Sequence, residues 1–117
     1  RNVLVSGAMG TGKKLAAEIV CSLMRVLGVG KGFVTTVTTL DQLVLDVRRD
    51  VSTVIVDGLH GIEAARSKVD NVLRNFPDHV FVFVGSREDV EALHGAVSHF
   101  RRSEPAWLQL QPYKPAE

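Results

Sequence analysis

The sequence predicts an α/β domain, a three-layer α/β/α sandwich on a five-stranded parallel sheet, and three observations lead there. Short apolar, β-branched runs recur along the chain, amphipathic stretches of helical period separate them, and the connections are brief. Strict alternation of this kind calls for parallel strands, because right-handed crossovers lay the intervening helices on both faces of the sheet. The 117 residues, 45% hydrophobic and 23% charged, amount to one domain with one core.

Val3-Leu4-Val5, closed by Ser6-Gly7, is short and β-branched and reads as a buried first strand. The period then changes. Leu15, Ile19, Leu23, Val26 and Leu27 share one helical face and Lys14, Glu18, Ser22 and Arg25 the other, with Gly28 as the stop. Residues 33–37 form the second strand. A helix follows from about Leu40, capped by Thr38 and buried through Leu40, Leu43, Val44 and Val47. Residues 53–57 form the third strand. Ile62, Ala65, Val69, Val72, Leu73 and Phe76 mark a third helix that Pro77 stops. Residues 80–84 are continuously apolar, as in a strand covered on both faces. Ser86 with Asp89 resembles a capping box for a fourth helix that turns Val90, Leu93, Val97 and Phe100 inward. Residues 107–110, fenced by Pro105 and Pro112, make the closing strand.

Fourteen basic and 13 acidic residues leave a formal charge of +1, too weak a field to argue for nucleic acid or a membrane surface. Cys21 is the single cysteine, which excludes an internal disulfide and a thiolate pair for zinc. No apolar run reaches the roughly 18 residues of a membrane span, and no signal-peptide pattern opens the chain. A soluble domain in an intracellular, reducing compartment is expected. The chain begins at Arg1, almost directly with the first strand, as expected of a core cut from a longer protein.

The chemistry is concentrated after the first strand. Gly7-Ala8-Met9-Gly10-Thr11-Gly12-Lys13 is a G-x-x-x-x-G-K run between a strand and a helix. Glycines let the backbone curl so that successive N–H groups face a phosphate, the helix N-terminus adds partial positive charge, and Lys13 reaches the β and γ oxygens. The bland alternative is a glycine-rich turn with a solvated lysine. The next residue should carry a hydroxyl for Mg²⁺, and Lys14 stands there instead. Lys14 either turns outward to pair with Glu18 or substitutes part of the metal's charge. Val54-Ile55-Val56-Asp57 has the pattern of a Walker B strand, with Asp57 holding the Mg²⁺ shell through water; alternatively Asp57 caps the turn at Gly58. His60 nearby reads as a surface residue.

With these pieces in order, the chain resembles AAA+ P-loop ATPases, most closely the CbxX/CfqX group that includes the red-type Rubisco activases and relatives in type VII secretion and sporulation. The resemblance spans nearly all of residues 1–117. It is carried by the phosphate loop, by Arg25-Val26-Leu27-Gly28, by Val54-Ile55-Val56-Asp57, by the run from Phe76 to Gly85, and by the close from Leu110 to Glu117. It implies a core without its helical lid, ATP or ADP as ligand, and protein partners in a larger assembly. The departures fall on catalysis. Gly58 stands where the resemblance implies a glutamate that polarises water, and His99 where it implies an arginine finger, with Arg101 and Arg102 as the substitutes at hand. Ser86 lies near an implied sensor position but serves equally as a helix cap. The segment between the second and third strands is too short for a substrate-gripping pore loop. Losing a finger alone costs roughly 10³ to 10⁵ in rate, so nucleotide is expected to bind and hydrolysis to be very slow. Two other readings stand beside this one: an ATPase completed by residues from a neighbour, and a ligand-free interaction module using Trp107 and Tyr113.

Overall fold

The apolar runs become the strands β1 (Asn2–Ser6), β2 (Phe33–Val37), β3 (Val51–Val56), β4 (Val80–Gly85) and β5 (Ala106–Gln109). All pair in parallel, in the order β2-β3-β4-β1-β5. The computed structural model describes residues 2–7, 12–26, 33–38, 51–57, 59, 62–102 and 104–110. Between the strands lie α1 (Lys13–Val26), α2 (Ile62–Asn75), α3 (Arg87–Ala96) and the single-turn α4 (His99–Arg102). The helix expected from Leu40, together with Gly58, His60 and Tyr113, lies outside the described residues.

Side chains on a strand alternate between faces, and the core divides accordingly. Leu4, Val54, Val56, Phe81 and Phe83 meet Val69, Val72 and Leu73 of α2, Val90 and Leu93 of α3, and Val97 and Phe100 beyond it. Val3, Val5, Ile55, Val80, Val82 and Val84 meet Ala17 and Cys21 of α1. Helices therefore cover both faces of the sheet. Phe83 and Phe100 pack edge to face, with ring centres 5.9 Å apart at 81°, an arrangement that suits the aromatic quadrupole.

Three expectations are corrected. Leu15 and Ile19 do not face the sheet; they are 61% and 52% exposed, and among the described side chains of α1 the buried ones are Ala17 and Cys21, while those of Leu23 and Val26 lie outside the described residues. Two small side chains, rather than Leu15 and Ile19, meet the strands on this face. The fourth helix does not run through to Phe100: α3 ends at Ala96, and the extended backbone of its C-cap Val97 (φ −94°, ψ 113°) turns the chain into α4. The closing strand sits one residue early, and all four of its residues are exposed, as befits a sheet edge.

The break between α3 and α4 has a visible cause in Asp70 of α2, which is only 7% exposed. Its carboxylate takes the Arg74 guanidinium one turn along, accepts the Ser98 hydroxyl at 3.0 Å and accepts the His99 N–H at 3.0 Å. It thus caps α4 from a neighbouring helix. Arg74 above all, then Ser98 and His99, hold this carboxyl below the ordinary aspartate range against the opposing effect of burial. A lowered native pKa means that the stabilisation is complete above the unfolded-state value of about 3.9 and is lost as pH falls from there through the native value. Asp70→Ala is expected to lose about 2 kcal/mol, the scale of hydrogen bonds to a charged acceptor. Denaturant melts between pH 7 and pH 3 check both points: the variant's stability should fall less on acidification than that of the unsubstituted chain.

Candidate functional site

In an open parallel sheet a ligand crevice forms where neighbouring strands send their crossovers in opposite directions. β1 and β4 are such neighbours. From β1 the chain crosses β4 and β3 to reach β2 at one edge; from β4 it crosses β1 to reach β5 at the other. Ser6-Gly7 and Gly85-Ser86 border the resulting crevice at the carboxyl ends of these strands. The G-x-x-x-x-G-K run begins at this point.

The chain entering the run is held from both neighbouring strands, through Gly7 on one side and Ser6 on the other. Gly7 N–H donates to the Gly85 carbonyl at 3.2 Å, extending the β1–β4 ladder, while Ser6 is bonded to the β5 side through its carbonyl and its hydroxyl. At the far end of the run Gly12 has φ +77°, a conformation that favours glycine, and its carbonyl accepts Ala16 N–H at 2.9 Å as the first bond of α1. Residues 8–11 and the side chains of Lys13 and Lys14 lie outside the described residues. The N–H groups that precede the first intrahelical bond have no acceptor within α1.

The first turn of α1 has no acidic residue and two lysines. Each cation at the positive end of a helix is unfavourable by about 0.3–1 kcal/mol, so this composition suits a helix end that receives an anion. α3 offers the contrast: it opens with Glu88 and Asp89 and is capped by Ser86, whose hydroxyl accepts Asp89 N–H at 3.2 Å. Ser86 is thus a helix cap. Leu59 packs over the end of β4, where a Cβ on Gly85 would stand 3.0 Å from its Cδ1, so a larger residue there requires the leucine side chain to give by a few tenths of an ångström.

Asp57 is exposed immediately after β3, with its N–H donating to the Val37 carbonyl at 2.8 Å. One strand separates β3 from β1, which puts this carboxylate about 10 Å across the sheet from the start of the loop. Among the described residues no cluster of three or more His, Cys, Asp or Glu is placed to hold a metal ion. The donor set suits Mg²⁺ poorly: Asp57 could act through water, but Lys14 stands in place of the hydroxyl and cannot ligate a cation.

The finger substitutes lie elsewhere. β4 runs toward the crevice, α3 runs back, and α4 sits before β5 starts, so Arg101 and Arg102 are at the opposite end of the sheet from the loop. Arg102 is exposed there, and its charge cannot serve the crevice of its own chain. His99 is half-buried and contributes its backbone N–H to Asp70. Two polar pairings were not anticipated from sequence, Trp107 with Ser6 and Asp70 with the α3–α4 turn. Their partners lie 101, 28 and 29 residues apart, and no local pattern announces them.

Comparison with family models, with curated proteins and with solved structures finds no match. Among the described residues no helix is long and apolar enough to cross a membrane.

Gly12 offers a clean test of the loop's backbone, since a Cβ built there meets nothing within 4 Å. Gly12→Ala should cost about 1 kcal/mol of stability through the positive φ alone, a fall in melting temperature of about 4 °C by calorimetry.

Proposed function

We propose that this chain is a nucleotide-binding P-loop domain of AAA+ type that binds ATP or ADP, hydrolyses it very slowly, and serves as a structural or regulatory member of a larger protein assembly. The observation that carries the reading is the G-x-x-x-x-G-K run from Gly7 to Lys13, joining the end of β1 to the start of α1 at the one place in the sheet where crossovers diverge. The two lysines and the absent acid in the first turn of α1 support it, because that helix end is electrostatically suited to phosphate. Slow hydrolysis follows from Lys14, Gly58 and His99, which stand where the resemblance implies a metal ligand, a base and a charge stabiliser.

A second reading, turnover completed by a neighbour, draws on the exposed Arg102. An arginine at the far end of the sheet is useless in cis but is available to another copy's crevice. Under the interaction-module reading Trp107 would be an open contact; its indole N–H is instead engaged by Ser6, which weighs against it.

Melting curves with ATP, ADP and GTP, each with and without Mg²⁺, test the proposal. Ligand at 100 times its dissociation constant adds about 2.7 kcal/mol, a shift of several degrees. ATP and ADP should raise the melting temperature without needing Mg²⁺, and Lys13→Ala should abolish the shift. Lys14→Ser, which supplies the hydroxyl, should make the ATP shift larger in Mg²⁺ than in its absence. No shift with any nucleotide at millimolar concentration would sink the proposal.

A further inference from the structure

Ser6, the residue that leads into the phosphate loop, is bonded to the β5 side through two atoms. Its carbonyl accepts Leu110 N–H at 2.8 Å, and its hydroxyl accepts the Trp107 indole N–H at 2.9 Å. Ser6 is only 1% exposed, so this hydroxyl is a buried polar group whose partner matters. A hydroxyl that accepts one hydrogen bond keeps its own proton to donate, and accepting strengthens it as a donor.

β5 is an edge strand with every residue exposed, joined to the sheet only through β1. Trp107 stands opposite Leu4 in the ladder and reaches diagonally toward the crevice to meet Ser6. The other side of its ring meets the His94 ring of α3 with centres 5.7 Å apart, and His94 in turn stacks on Phe100 and pairs with Glu104 at 3.1 Å, just ahead of β5. One side chain therefore touches the residue before the loop, the helix behind it and the strand from which the chain continues.

We propose that the Trp107–Ser6 hydrogen bond couples the phosphate loop to β5, making Trp107 a positioning residue for bound nucleotide. An occupied loop holds Ser6 and keeps the indole seated; a pull on β5, or on the chain that follows it, frees Ser6 and loosens the loop. The inference rests on the nucleotide-binding reading above. Coupling between sites is reciprocal, so removing the bond weakens nucleotide by the same factor by which nucleotide steadies β5.

Trp107 is the sole tryptophan and reports on itself. The 117-residue chain is titrated with ADP and with ATP while heat and tryptophan emission are followed in parallel. The expected result is an emission change that saturates with the calorimetric affinity. Ser6→Ala should bind about five-fold more weakly or worse, with emission no longer following occupancy, and Ser6→Thr, which keeps the hydroxyl, should restore both. Trp107→Phe keeps an aromatic side chain but loses the indole N–H together with the five-membered ring; it should weaken binding as much as Ser6→Ala, and the double variant should be no weaker than either. Unchanged affinity in Trp107→Phe, or nucleotide heat in the unsubstituted chain with no emission change, overturns the coupling and leaves nucleotide binding standing. Absence of heat with both nucleotides overturns the binding reading and the coupling with it.

Discussion

The parallel pairing of β1 with β4 is the constraint on which the rest of this molecule depends. Placing these strands side by side, although 73 residues of chain separate the end of β1 from the start of β4, obliges the crossovers on either side to diverge. Divergence opens the crevice, and among the described helices α1 lies on one face and α2, α3 and α4 on the other. It also fixes both ends of Ser6-Gly7, because β4 and β5 each bond to that dipeptide.

Much of this was legible from sequence where the signal is local. Continuous apolar runs such as residues 80–84 announced their strand, Pro77 stopped α2 as expected, and Ser86 with Asp89 marked a helix start that the hydrogen bond bears out. The class of fold followed from alternation alone. Strand order did not, because periodicity says which residues face a core but not which strand lies beside which. The buried face of α1 was misread for a related reason: hydrophobicity favoured Leu15 and Ile19, but periodicity does not say which face of a helix meets the sheet, and there Ala17 and Cys21 are buried.

The polar network behind the α3–α4 break belongs to the same class of long-range information. No local pattern singles out Asp70, and only its position against Ser98 and His99 shows it capping the turn between two helices. The candidate site was legible as a motif, since Gly7 to Lys13 announces itself. Its electrostatic setting became readable only when α1 could be compared with α3, one beginning with lysines and the other with acids.

Cys21, packed beneath α1 against the sheet, has a consequence for thiol chemistry. Burial, and then the negative charge of Glu18, push this thiol above its ordinary range, so at neutral pH it is a poor thiolate nucleophile. A reagent reaches it only when α1 lifts from Val3, Val5 and their neighbours. Its alkylation rate therefore counts those openings, a local clock on the helix that begins at Lys13.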